Sequence, residues 1–370
     1  MSDLHCRWGI LGTANIARKN WGAIQRSGNG VVTAVASRSR ERSRQFVAEC
    51  QADVPFAAVP QACGSYEELL SRADVDAVYI PLPTGLRKEW VIRAAEAGKH
   101  VVVEKPVGVT ASDVRDMLVA CRKHNVQFMD GVMFMHSRRL QTLRDVLDDG
   151  ESVGRIRRLA SQFSFRGPQE FLDHNIRVNS DLEPLGCLGD LGWYNIRFTL
   201  WALRYRMPLH VSARTLAEAG RADSPAKVPL EFSAELFFPD DVSATFYCSF
   251  QTTNQQWAHI SGDSGFVFLP DFVLPYYGCE VAFQATHAVF HQQVCRFDMQ
   301  EHTQRYAVSE YSNGHPTAQE TNLFRHFANL ALSGTIDPHW GDIALKTQIV
   351  LDACLQSARN SGASVPVTSE

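Results

Sequence analysis

The chain predicts an α/β protein: an N-terminal doubly wound parallel sheet followed by an α/β domain built on a large, mostly antiparallel open sheet. Three observations carry that expectation. Short β-branched runs alternate with helical patterns over roughly the first third of the sequence. Each run stops at a turn-forming or charged signal. From about Asp130 the pattern changes to longer segments rich in Val, Phe, Thr and Tyr, several alternating apolar with polar. At 370 residues the chain exceeds one typical core, and the change of pattern divides it into residues 1–129 and 130–370.

The first strand is Trp8 to Leu11, followed by Gly12-Thr13-Ala14-Asn15-Ile16-Ala17 and a helical pattern that ends at Ser27-Gly28-Asn29-Gly30. The second strand, Val31 to Ala36, runs into Ser37-Arg38-Ser39-Arg40. Ser65 is placed to cap a short helix over Tyr66 to Leu70, and Val75 to Ile80 is a strand ending at Pro81-Leu82-Pro83-Thr84. A helix from about Leu86 to Ala97 stops at Gly98. Lys99 to Val103 is then a β-branched run of the kind buried on both faces of a parallel sheet, and it ends at Glu104-Lys105-Pro106. Ser112 to Lys123 is helical, and Val126 to Met129 is one more strand. Beyond it come a helix near Ser137 to Leu147 and strands over Ile156 to Phe165, Leu209 to Thr215, Phe232 to Phe238, Ser243 to Phe250 and Phe266 to Leu269, and a last helix covers about Asp342 to Ser357.

Charge and composition exclude several classes. The formal net charge is −4 with no long basic run, so no nucleic-acid partner is expected, and Arg138-Arg139 and Arg155 to Arg158 read as solvated faces. No apolar run approaches a membrane span, and Met1 to Arg7 has no apolar signal core, so the expectation is no membrane partner and a cytoplasmic location. Nine scattered cysteines without a Cys-x-x-Cys pair argue for a reducing compartment rather than a disulfide framework. His287 and His291 lie in a segment that reads as strand without a nearby metalloprotease Glu, and no metal is expected.

Strand, tight glycine turn and helix make a dinucleotide-binding opening. Gly12 allows the sharp turn, backbone N–H groups around Ala14, Asn15 and Ile16 face a pyrophosphate, and Ala17 keeps the helix close to the sheet. Ala14 departs from the fingerprint's second glycine. After the second strand, where an NAD enzyme usually places an acid for the ribose hydroxyls, stand Ser37 and Arg38, a hydroxyl and a guanidinium that suit a 2′-phosphate. NADP(H) is therefore favoured over NAD(H). The turns at Gly12, Ser37, Leu82-Pro83-Thr84 and Glu104-Lys105 gather at one sheet edge, where open α/β sheets bind ligands. A second constellation, Gly189-Asp190-Leu191-Gly192-Trp193-Tyr194, puts Asp190 and Tyr194 four apart, on one face of a helix.

With these motifs the sequence resembles, over nearly its whole length, the glucose-fructose oxidoreductase and inositol dehydrogenase family (Gfo/Idh/MocA). The tyrosine at position 194, where many members carry His, resembles the branch of glucose-fructose oxidoreductase and the dimeric dihydrodiol and xylose dehydrogenases. Arg87 stands where many members also carry His. The resemblance implies that residues 1–129 form a dinucleotide-binding Rossmann domain and 130–370 a substrate-binding and oligomerisation domain, with hydride transfer between nicotinamide and a sugar, polyol or dihydrodiol carbon. It also implies a homodimer or homotetramer. Tyr194 is the expected acid/base, Lys105 the cation that lowers its pKa and bonds ribose or substrate, and Asp190 the group that orients them or binds a substrate hydroxyl. Arg177 and Trp193 are candidates for shaping the substrate pocket. The competing readings are a non-catalytic NADP(H)-binding sensor on the same scaffold and a hydrolase using retained NAD.

Overall fold

The computed structural model of the chain describes residues 5 to 368, so most of the Met1 to Arg7 stretch lies outside the described residues. In order, the first half contains β1 (Cys6–Leu11), α1 (Asn15–Ser27), β2 (Gly30–Ala36), α2 (Arg40–Asp53), β3 (Gln61–Cys63), α3 (Tyr66–Leu70), β4 (Ala77–Ile80), α4 (Thr84–Glu96), β5 (His100–Val103), α5 (Ala111–Lys123) and β6 (Phe128–Asp130). The six strands form one parallel sheet in the order β3-β2-β1-β4-β5-β6. The order reverses between β1 and β4, so the carboxyl ends of those two strands flank a crevice. Val101, Val102 and Val103 are fully buried, as a strand covered on both faces requires.

Local chemistry sets the element ends. The Ser65 hydroxyl accepts from Glu68 N–H at the start of α3, and Thr110 and Asp113 form a reciprocal capping box on α5. Helix α2 and strand β3, which propensity alone did not mark, complete the sheet edge.

The second half contains α6 (Arg139–Asp148), β7 (Ile156–Ser164), α7 (Gln169–His174), α8 (Trp193–Ala202), β8 (His210–Ala219), β9 (Val228–Phe237), β10 (Ser243–Ser249), β11 (Gln255–Gly262), β12 (Phe266–Leu269), β13 (Glu280–Gln293), β14 (Arg296–Ser309), α9 (Gln319–Ser333), α10 (His339–Arg359) and β15 (Val365–Pro366). Nine strands make one sheet, β14-β13-β12-β11-β7-β10-β9-β8-β15, antiparallel except for the parallel β7–β10 pair. Helices α8 and α10 bury the inner face. His287 and His291 fall on β13, and among the described residues no group of three or more ligating side chains could hold a metal.

Two further features depart from the expectations and bear on the core. Arg139, read as part of a solvated basic pair, is 1% exposed, and its guanidinium bonds the Asp271 carboxylate at 2.5 Å and the Asp271 carbonyl at 2.8 Å. Its position one residue into α6 turns it toward the core, where the pair compensates its charge. The second is α9, a helix outside the expected set. It returns to the first sheet and packs Phe324 and Phe327 against Trp8, with ring centroids 5.2 and 5.3 Å apart. Residues beyond position 319 thus close one face of the N-terminal core. Among the described residues no helix is long and apolar enough to cross a membrane.

Candidate active site

Gly12 turns the chain out of β1 with φ +115°, a region that favours glycine, and its N–H donates to Ala36 O at 2.8 Å. That bond sets the glycine turn beside the end of β2, where Ser37 and Arg38 begin. Helix α1 then starts at Asn15 with Ala14 as a cap that offers no side-chain hydrogen bond, and its first turn carries no acid. The N–H groups at this helix start are left to face the crevice, a cradle suited to a pyrophosphate. The residues present fit a dinucleotide here.

The crevice holds a cavity of about 840 Å³. Ala14, Asn15 and Ile16 line it from α1, Leu82 and Pro83 from the turn after β4, and Glu104 and Lys105 from the end of β5. Opposite them stand Arg177, Asp190 and Tyr194. The remaining sequence-selected residues sit elsewhere. Thr13 is half-buried beside the turn, and Arg38 is exposed at the end of β2. The Ser37 hydroxyl donates to Ser39 O at 2.6 Å and shapes that loop. Thr84 is buried, with its hydroxyl donating to Glu183 at 2.5 Å. Trp193 is fully buried in the core and is absent from the cavity wall, because the helix turn that points Tyr194 into the crevice points its neighbour the other way.

Lys105, Asp190 and Tyr194 come together, as their chemistry anticipated. Lys105 Nζ donates to the Asp190 carboxylate at 2.7 Å and to the Asp190 carbonyl at 2.8 Å, and lies 4.7 Å from the centre of the Tyr194 ring. The other Asp190 oxygen accepts from Arg177 Nε at 2.7 Å. Asp190 therefore has both oxygens held by cations. These contacts fit the orienting role anticipated for it, and each oxygen keeps a further acceptor site on the cavity wall for the other, binding a substrate hydroxyl.

Local backbone makes the cluster possible. Residues Leu188–Gly192 form a single π-helical turn that feeds α8. A Cβ on Gly189 would stand 2.6 Å from Leu185 Cβ and 3.1 Å from Pro106 Cγ, so glycine is what lets this turn approach the Lys105-Pro106 corner. The Lys105-Pro106 peptide bond is cis.

The electrostatics add a second influence to the expected one. Lys105 lowers the Tyr194 pKa, but burial is the larger influence and Glu104 and Asp190 add to it, so the phenol is pushed up to about 12. In this state Tyr194 carries its phenolic proton. Asp190 is held well below the usual carboxylate range: burial opposes its ionisation, and Arg177 and Lys105 overcome that cost. Lys105 is raised, because Asp190 and Tyr194 outweigh its desolvation.

Three supporting residues had weak or no sequence signals as site residues. Arg87 is 5% exposed and donates to Leu82 O at 2.7 Å, to Thr84 Oγ1 at 3.0 Å and to Pro106 O, tying the β4 and β5 turns together. Its place in the buried stripe with Trp90, Val91 and Ala94 was the available signal. Tyr79 donates to Glu104 at 2.7 Å and accepts from Asn20 of α1 at 2.6 Å. Glu183, in an irregular stretch, carried no signal.

Comparison with known proteins agrees with this fold. A family model described as "Oxidoreductase family, NAD-binding Rossmann fold" matches residues 6–132, and the "GFO/IDH/MocA C-terminal domain" model matches residues 140–268. A dTDP-3,4-didehydro-2,6-dideoxy-alpha-D-glucose 3-reductase from Saccharopolyspora spinosa is 37% identical over 194 residues, 52% of this chain, and the match spans about half (54%) of that relative. The trans-1,2-dihydrobenzene-1,2-diol dehydrogenase of Mus musculus is 30% identical over 261 residues, 70% of this chain and 73% of that protein. Among solved structures, a 3-ketoreductase from Actinomadura kijaniata in complex with NADP and TDP-benzene superposes with a TM-score of 0.79 at 26% identity, covering 95% of this chain and 98% of the other. The chain belongs to the Gfo/Idh/MocA oxidoreductase family.

Proposed function

We propose that the protein is an NADP(H)-dependent oxidoreductase that transfers a hydride between nicotinamide and a CH–OH or C=O carbon of a sugar, polyol or dihydrodiol. The observation that carries this reading is the Lys105–Asp190 contact of 2.7 Å beside the Tyr194 ring, in the same cavity as the start of the glycine-turn helix. Relatives that reduce a keto sugar or oxidise a dihydrodiol support the substrate range, and a relative holding NADP supports the cofactor.

When bound, the nicotinamide supplies or accepts the hydride. In carbonyl reduction, Tyr194 Oη gives its proton to the oxygen as the C=O electron pair moves onto it, and the Lys105 ammonium stabilises the phenolate left behind. Asp190 holds Lys105 in place through two contacts. Oxidation runs the same path backwards, with the Tyr194 phenolate taking the hydroxyl proton. The test is a panel of NADP⁺ and NAD⁺ with aldoses, polyols and trans-dihydrodiols, and of NADPH with the matching carbonyls, read by nicotinamide absorbance. A nucleotide-binding protein silent across the whole panel would be a sensor instead.

The preference for NADP(H) rests on Arg38, since the Ser37 hydroxyl proton is engaged within its loop. Arg38→Ala is expected to raise the KM for NADP⁺ by about 10- to 100-fold, the worth of a charge-assisted phosphate contact, and to leave NAD⁺ nearly unchanged. Steady-state kinetics with both nucleotides read this directly.

Self-association is part of the same reading. Strands β13 and β14 pair over their full lengths, from Glu280↔Ser309 to Gln293↔Arg296, yet β12 pairs only with Gln284 to Thr286. The far half is a two-stranded ribbon exposing Phe290 (57%), Phe297 (62%) and Met299 (67%). Such a ribbon is marginal in water without cover. The protein is expected to elute as a dimer or tetramer by light scattering, and Phe290→Glu with Phe297→Glu to shift it towards monomer. A monodisperse monomer in the parent protein overturns this.

A further inference from the structure

Around Arg177 the cavity offers open donors, while each carboxylate that lines it has a hydrogen-bond partner. Its carboxylates are engaged: Asp190 by Lys105 and Arg177, Glu183 by the Thr84 N–H (3.1 Å) and hydroxyl (2.5 Å), and Glu104 by the Tyr79 hydroxyl (2.7 Å). The donors are not. Arg177 uses only its Nε, on Asp190, and among the described residues its two terminal amines make no hydrogen bond. Asn175 accepts from the Arg177 N–H through Oδ1 at 3.0 Å, and its amide nitrogen likewise has no acceptor among the described residues. Both residues line the cavity, and the Arg177 side chain is 41% exposed there.

The chemistry of these groups selects a ligand. A neutral sugar hydroxyl donates as well as accepts, and the Asn254 amide, which lines the cavity without a side-chain hydrogen bond among the described residues, can meet both needs, whereas Arg177 offers donors only. A guanidinium fixed through Nε, with two amines open in one plane, matches the paired oxygens of a carboxylate or phosphate. The Asp190 contact holds that plane in place, so little side-chain freedom is lost on binding. We propose that the substrate carries an anionic oxygen group, a carboxylate or a phosphate, which docks on the terminal amines of Arg177 with the Asn175 amide beside them, away from the carbon that exchanges hydride. This rests on the oxidoreductase reading and adds its substrate class.

The test uses the full-length protein saturated with NADPH, which keeps phosphate probes out of the cofactor site. D-glucose, D-glucuronate and D-glucose 6-phosphate are titrated while bound-NADPH fluorescence is followed, and turnover is read separately by absorbance with the same probes in both directions. At least one anionic probe is expected to bind about tenfold or more tightly than glucose. A response to glucuronate alone assigns a carboxylate; a response to glucose 6-phosphate alone assigns a phosphate. Arg177→Gln is expected to abolish the preference while retaining NADPH affinity, and Arg177→Lys to restore part of it. Equal binding of glucose and both anions, a preference that survives Arg177→Gln, or no binding by either anion overturns the proposal. Failure of the oxidoreductase reading looks different: anionic probes bind in an Arg177-dependent way, but no nicotinamide is consumed or formed with any substrate class.

Discussion

Tyr194→Phe is expected to lower kcat/KM by about two to four orders of magnitude while NADPH binding stays close to that of the parent protein. The substitution removes one oxygen and keeps the ring, so the packing of Tyr194 against Phe163 and Phe134, at 5.6 and 6.1 Å, is preserved. Only the proposed proton carrier is lost. The direction of its pH dependence follows from the phenol's raised pKa of about 12. Carbonyl reduction needs the protonated phenol, which is present at all pH values below that pKa, so the reduction rate should show no Tyr194-dependent fall on the alkaline side through about pH 9. Oxidation needs the phenolate and should rise with pH over the same range. Full activity in Tyr194→Phe would remove this residue from the mechanism, and opposite pH trends would reverse its assignment.

The second large effect is on stability. Arg197, three residues after Tyr194 on α8, and Asp130 at the end of β6 are both fully buried, with contacts of 2.6 and 3.2 Å between guanidinium and carboxylate. Arg197 Nε also donates to Thr347 of α10 at 2.8 Å. This one side chain ties the helix carrying the proposed acid to the first sheet and to the last helix. Arg197→Met is expected to destabilise the fold by about 3–5 kcal/mol, because it leaves the Asp130 carboxylate buried without its counter-charge. Asp130→Asn placed on Arg197→Met should recover much of the loss, since the uncompensated charge is then gone. Chemical denaturation midpoints of the parent protein and the two variants measure both. A loss below about 1 kcal/mol for Arg197→Met would mean that water reaches Asp130 when the arginine is removed.

The elements that chemistry marks locally were legible in the sequence. The glycine turn at Gly12, the β-branched run ending at Lys105, the Ser65 cap and the helix end at Gly98 each depend on residues within a few positions of one another. So did the pairing of Asp190 with Tyr194, which needs only helical spacing, although the turn that delivers Asp190 is π-helical rather than α-helical. Helix α9 was less legible. Its apolar residues Leu323, Phe324, Phe327 and Ala328 follow a helical period, but Ala318 offers no side-chain cap to announce its start, and its partner Trp8 lies more than 300 positions earlier.

By itself the sequence determined most of the order of strands and helices and marked the strand–glycine turn–helix opening and the side chains Lys105, Asp190 and Tyr194 as candidates, because spacing and turn chemistry act over short stretches of chain. The tertiary structure alone decided how those side chains share charge. Burial raises the Tyr194 pKa against the pull of Lys105, Arg177 pairs with the second Asp190 oxygen, and Trp193 and Arg139 turn into the core. Desolvation and hydrogen-bond partnership depend on what the folded chain brings within a few ångströms, and contacts between Lys105 and Asp190 or Arg197 and Thr347 span 85 and 150 positions.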